Sequence, residues 1–214
     1  MSPAWKSGII SSMQGNSGPV TELFVNPQNV GEAAGPNFIG RSASFQCGAI
    51  LLISLHIDES QRITEAKFKA AGCTVLVASA ELLIDQIIGK TTGEAASLGQ
   101  RPEALKEKLG ALPAARSECP ALACEALVSA IRSYSDSARD EWEGDEALIC
   151  TCFCVSERTI EREIQKNELR TIAEVTAACN AGAGCRSCYP LIEDMVDDYW
   201  RTVGQAFLPV APRS

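Results

Sequence analysis

Cysteine is the residue with most chemistry to offer in this chain, at ten of 214 positions. Four of the ten form two close pairs, Cys150-Thr151-Cys152 and Cys185-Arg186-Ser187-Cys188, separated by a stretch with helical patterning. Four thiolates supplied by two loops can surround a tetrahedral zinc ion or a 2Fe-2S cluster, and spacing alone leaves both open. Gly182-Ala183-Gly184 permits a tight backbone path into the second pair, where exposed amides can hydrogen-bond to cluster sulfurs. Helix starts expected at Ser156 and Pro190 lie just beyond the pairs, so their positive dipole ends favour bound thiolates. Cys154 and Cys179, one beside each pair, read as buried small hydrophobes.

The rest of the composition narrows the setting for that chemistry. A net charge of −8 repels phosphate backbones, so nucleic acid and anionic membranes are poor partners. No run approaches the ~20 apolar residues that cross a bilayer, and the first residues lack an apolar secretion core. A soluble, cytoplasmic protein is the expectation. In a reducing compartment, close cysteine spacing points to metal or redox chemistry before disulfides.

The elements that must hold these thiols follow from periodicity. Ile50 to Ile57 alternates, with Leu51, Ile53, Leu55 and Ile57 facing a core and Ser54, His56 and Asp58 facing water. After a polar turn, Ala66 and Phe68 oppose Glu65, Lys67 and Lys69 in a second strand, which predicts a hairpin. Helical spacing runs through Leu76, Ala80, Leu83, Ile84 and Ile87 and stops at Gly89. Pro102 opens a short helix closed by Gly110, and Pro120 opens a longer one through Leu122, Leu127 and Ile131. Strands followed by helices predict an α+β domain, an antiparallel sheet packed by helices. On that last helix Cys124 is turned about 140 degrees from Cys119 and reads as core. His56, on the polar strand face, reads as a surface residue.

Beyond an acidic stretch, Ser156 caps a helix to about Asn167, Thr171 and Glu174 form a capping box for another, and Pro190 begins a third to about Trp200. This second unit is expected to be small, all-α and metal-stabilised, since about 60 residues bury too little apolar surface alone. The domain plan is a flexible leader over 1–20, the α+β unit over 21–134, an acidic linker over 135–146, the helical unit over 147–203 and a tail over 204–214.

Cys150-Thr151-Cys152-Phe153 with Cys185-Arg186-Ser187-Cys188 resembles the bacterioferritin-associated-ferredoxin-like domain found in the middle of NifU proteins. That resemblance implies that Cys150, Cys152, Cys185 and Cys188 hold a permanent 2Fe-2S centre. Residues 21–134 resemble the U-type scaffold domain through Asn26-Pro27-Gln28-Asn29-Val30-Gly31, Cys47-Gly48, Ala71-Gly72-Cys73 and Glu118-Cys119. The resemblance implies that Cys47, Cys73 and Cys119 carry a transient cluster. Cys73 and Cys119 each precede an expected helix, whose positive end lowers thiol pKa. Three thiolates leave iron under-coordinated, which suits a site that fills and empties.

Four departures from the resembling scaffolds stand out. Ala49 occupies the place where those proteins carry an Asp associated with cluster release. Glu118 replaces a His before the third cysteine and is a candidate fourth ligand or a cap for the following helix. Leu112-Pro113-Ala114-Ala115-Arg116 only partly matches their chaperone-binding segment. The chain also ends before the carboxy-terminal domain of longer NifU proteins. The resemblance implies a scaffold and cluster carrier rather than an enzyme, which takes sulfur from a cysteine desulfurase and iron from a donor and passes clusters to apo iron-sulfur proteins, as a homodimer in the family's manner. The other class is a 2Fe-2S electron carrier or zinc-binding module with a degenerate scaffold domain. Cys47, Cys73 and Cys119 separate the two, because an electron carrier has no need of them.

Overall fold

The computed structural model describes residues 17–35, 38–144 and 146–206. The expected leader to residue 16 and tail from 207 lie outside the described residues. Two compact units meet between Tyr134 and Ser135.

The first unit opens with helix α1 (Gly18–Val25), so residues 18–20, placed in the leader by sequence, are helical. The reason is local: the Ser17 hydroxyl accepts the Val20 N–H and Pro19 sits in the first turn, where no amide hydrogen is needed. Strands β1 (Phe38–Ala43), β2 (Ile50–Ile57) and β3 (Ile63–Ala71) form an antiparallel sheet in that order. Register pairs Gly40 with Ile53 and Ile53 with Phe68. Leu51, Ile53, Leu55, Ala66 and Phe68 are buried as the alternation predicts, each large side chain contributing about 2 kcal/mol. Ser54 is also buried, against expectation. Its hydroxyl accepts the Ala33 N–H at 2.9 Å and donates to the Lys67 carbonyl, which offsets its desolvation.

Helix α2 (Thr74–Ile87) is packed by α1, β3 and α4 (Pro102–Leu109), which explains why it buries more than one stripe. Between them lies α3 (Thr92–Gly99), started by a Thr91–Glu94 capping box. The buried Glu81 of α2 accepts the backbone N–H groups of Gln28 and Asn29 and the Asn29 side-chain amide. It thereby fastens the Asn26–Gly31 segment, whose Asn29 and Gly31 bond to Phe68 on the β3 edge. Helix α5 (Cys119–Asp140) lies against β1 so closely that a Cβ on Gly40 would stand 2.0 Å from the Ala126 carbonyl oxygen. The helix continues to Asp140, through the first part of the stretch expected as linker. An Asp136–Arg139 ion pair lies within those last turns.

The second unit adds a short antiparallel ladder that sequence did not predict, β4 (Leu148–Cys150) with β5 (Val155–Ser156). Helices α6 (Glu157–Asn167), α7 (Ile172–Cys179) and α8 (Tyr189–Ala206) follow. Ser156 caps α6 and the Thr171–Glu174 box caps α7, as expected. Ile160, Ile164, Val175, Ile192, Val196 and Phe153 make the core. No helix among the described residues is long and apolar enough to cross a membrane.

Candidate metal centres

Three elements of the first unit bring Cys47, Cys73 and Cys119 to one place. Cys73 is the N-cap of α2, and its side chain makes no capping bond, so the sulfur is left to other partners. Cys119 is the first residue of α5. Cys47 lies in the β1–β2 connection, where Gly48 at φ +68° lets the chain turn and its N–H bonds back to the Ser44 carbonyl at 2.8 Å. The Cys73 and Cys119 sulfurs are 3.5 Å apart. Cys47 and Cys73 line an open cleft of about 590 Å3 with Phe24, Ala49, Gly72 and Arg116. Cys47 is exposed, Cys73 half-buried and Cys119 buried.

Electrostatics divides the three thiols. The Cys73 thiol is pulled down to about 5, first by the hydrogen bond from Cys119 and then by the Leu76 amide and the Arg116 guanidinium, against a desolvation cost. Cys119, which donates to it and is desolvated, is pushed up. Cys47 is lowered by the Ser44 hydroxyl and the Ala49 amide. Arg116 is held charged by Cys73, with smaller contributions from Cys119 and Cys47. These shifts favour the thiolate at Cys73 on the cleft wall, with the Cys119 thiol as its hydrogen-bond donor and the Arg116 guanidinium beside it.

Sequence reasoning placed Arg116 only in a partly matching segment and missed its place beside the thiols. The available signal was a cation three residues before Cys119. Ala49 is 3 % exposed and packs against Gly72, where a Cβ would come 3.2 Å from the Ala49 methyl. A carboxylate at that position would be desolvated. Glu118 is exposed and is not among the residues lining the cleft; its carbonyl accepts the Leu122 N–H of α5.

In the second unit the sulfurs meet across the two pairs. Cys152 and Cys185 are 3.4 Å apart, and Cys150 is near enough to Cys188 to act on its thiol. Cys150 ends β4, Cys152 sits in the turn to β5, and Cys188 stands one residue before α8. Gly184 lies so close that a Cβ there would be 2.9 Å from the Cys152 Cβ and 3.1 Å from its sulfur. The exposed Cys185 is lowered to about 7 by the Ser187 hydroxyl and amide and by Cys152. Burial pushes Cys188 up to about 11, helped by Cys150, and raises Cys152.

Among the described residues no group of three or more His, Cys, Asp or Glu side chains stands ready to hold a metal ion, and the closest sulfur approaches are Cys73 to Cys119 and Cys152 to Cys185. Of the remaining cysteines, Cys124 is buried and Cys179 is buried with its thiol on the Val175 carbonyl. Cys154 is only half-buried, in the left-handed region at φ +51°, and donates to the Ser135 carbonyl. His56 bonds to Thr64 at the strand surface.

Comparison with known proteins adds a second line of observation. Residues 16–140 match the family described as NifU-like N terminal domain, and residues 148–198 match the BFD-like [2Fe-2S] binding domain. The nitrogen fixation protein NifU of a Nostoc species is 36 % identical over 189 residues, which cover 84 % of this chain and 62 % of that protein. The iron-sulfur cluster assembly scaffold protein IscU 1 of Archaeoglobus fulgidus is 28 % identical over 165 residues, 77 % of this chain and 99 % of that protein. The chain thus spans about three fifths of the length of the NifU proteins of Nostoc and Trichormus azollae that it matches. A solved scaffold protein for the SUF system from Fervidobacterium islandicum aligns over 52 % of this chain and 92 % of its own, at TM-score 0.45 and 21 % identity.

Proposed function

The chain belongs to the NifU-like family, and from that premise we propose that it is an iron-sulfur cluster assembly scaffold, building a transient cluster on Cys47, Cys73 and Cys119 for transfer to apo-proteins. The observation that carries the reading is the 3.5 Å approach of Cys73 to Cys119 beside a cleft that Cys47 and Arg116 share. Thiolates accept sulfur and ligate iron, and thiols do neither well. The hydrogen bond from Cys119, with the Leu76 amide of α2 and Arg116, favours the Cys73 thiolate before iron arrives, and the Cys119 proton leaves as metal enters. Openness to solvent lets a cysteine desulfurase deliver sulfur and lets the finished cluster depart. Glu118 is the candidate fourth ligand and must turn inward to serve.

Cys150, Cys152, Cys185 and Cys188 would hold the permanent 2Fe-2S centre. Their fit to it rests on a four-thiol donor set and on Gly184, whose missing side chain leaves room against Cys152. Such a centre, when bound, supplies one-electron chemistry. The Ser187 hydroxyl orients the Cys185 sulfur, and burial of Cys150 and Cys188 keeps water from one side of the set.

Anaerobic reconstitution followed by chelator challenge tests the proposal. More than about two irons per chain are expected, part lost to chelator and part retained. Cys73→Ala should remove only the labile part. Iron that stays near two per chain and ignores Cys73→Ala would leave the electron-carrier reading standing, and a colourless, zinc-only protein would defeat both cluster assignments.

A further inference from the structure

We propose that the cleft bounded by β1, the α3–α4 junction and the outer face of α5 is a binding site for a small hydroxylated organic acid, held by its carboxylate or phosphate on Arg41, Ser129 and Arg132. The first unit has five described arginines, and three of them are engaged. Arg62 donates to the Gly89 carbonyl, Arg101 to the Ser97 carbonyl, and Arg116 faces Cys73. Among the described residues, the guanidinium groups of Arg41 and Arg132 have no hydrogen-bond or ion-pair partner, and both line the same open cleft of about 480 Å3.

The geometry sorts the charges. Ser129 lies three residues before Arg132 and four after Glu125, so the three share a face of α5. The Arg41 N–H donates to the Ser129 hydroxyl at 3.4 Å, which sets this β1 residue beside Ser129 and leaves the hydroxyl hydrogen free to donate. Glu125 stands seven residues from Arg132, about 10 Å along the helix axis, and forms no ion pair with either arginine. One end of the cleft is therefore cationic and the other acidic, with Val128 and Pro102 as apolar wall.

Guanidinium forks match carboxylate and phosphate oxygens in pairs, and two forks beside a hydroxyl donor hold one such acid group from both sides. The volume falls in the class of small-molecule sites and exceeds what a bare oxyanion fills. Glu125 repels a second anion at its own end and accepts from a hydroxyl, which selects a ligand with an acid at one end and a donor at the other. In a chain of net charge −8, two unpaired arginines in one cleft oppose the overall field.

Amide chemical shifts of the full chain, titrated with glycerate and with glycerol 3-phosphate at ionic strength fixed by sodium chloride, test the site. Expected are saturating shifts at residues 41, 129 and 132 with at least one of the two, which also tells carboxylate from phosphate. Arg41→Gln and Arg132→Gln should each weaken binding about tenfold, Arg132→Lys by less, with the amide spectrum otherwise preserved. Glu125→Gln should erase any preference for glycerate over propionate, which lacks the hydroxyls. Shifts that never saturate with either probe, or saturation indifferent to both arginine substitutions, would overturn the proposal. Cluster loading is no part of the readout, so this site and the thiol cleft stand or fall separately.

Discussion

Gly40→Ala is the substitution whose cost the structure fixes most directly. An added Cβ would stand 2.0 Å from the Ala126 carbonyl oxygen and 2.2 Å from the Ala130 nitrogen, both backbone atoms of α5. Real Cβ atoms essentially never come within 3.0 Å, so β1 and α5 must part by at least about 1 Å. No rotamer can relieve that contact, because the obstacle is main chain. Separation also loosens Ala123, Ala126, Leu127 and Ala130, all fully buried on the same helix. Overpacking costs about 1–3 kcal/mol where side chains can adjust, so about 3 kcal/mol or more is expected here. At a urea slope of about 2 kcal/mol/M, the midpoint of the first unit's transition should fall by about 1.5 M. Gly18→Ala, with nothing within 4 Å of its Cβ, serves as the control and should move the midpoint little. Urea unfolding followed by circular dichroism reads both. A Gly40→Ala midpoint within about 0.2 M of the parent would refute the close packing of β1 on α5.

Other outcomes follow from the same contacts. Gly184→Ala should push Cys152 from Cys185 and weaken iron retention in the second unit about tenfold, read by chelator challenge. Glu81→Leu leaves three N–H donors of Gln28 and Asn29 without their acceptor and should cost at least about 3 kcal/mol in thermal unfolding, whereas Glu81→Gln, which keeps one acceptor oxygen, should cost less. Because the Cys73 pKa is lowered, its thiolate persists below the usual thiol range. Its alkylation by iodoacetamide in the metal-free chain should stay fast as pH falls from 8 and slow only on approach to about 5. An alkylation rate that drops tenfold per unit already below pH 8 would show an ordinary thiol.

Much of this was legible because it depends on local periodicity. Leu51, Ile53 and Leu55 declare β2, the α2 stripe declares its helix, and Ser156, Thr171 and Glu174 declare two helix starts. What stayed hidden depends on long-range contacts. Ser54 looks solvent-facing until Ala33, 21 residues away, covers it. Strand β1 carries Gly40 and Arg41 in place of a clear alternation, because Gly40 meets a helix backbone rather than side chains. Helix α5 runs past Tyr134 without an apolar face in its last turns, since Ser135 and Arg139 there bond to the chain around Cys154. At the thiol cleft, spacing and family pattern named the cysteines, but Arg116 reaches Cys73 across 43 residues of sequence, and only the folded chain shows that.

Mössbauer spectroscopy of the chain reconstituted with iron-57 bears most directly on the proposed scaffold role. Two iron environments are predicted, one of which disappears when Cys47, Cys73 and Cys119 are replaced together while the other, held by Cys150, Cys152, Cys185 and Cys188, is unchanged. A spectrum identical with and without those three cysteines would contradict the account.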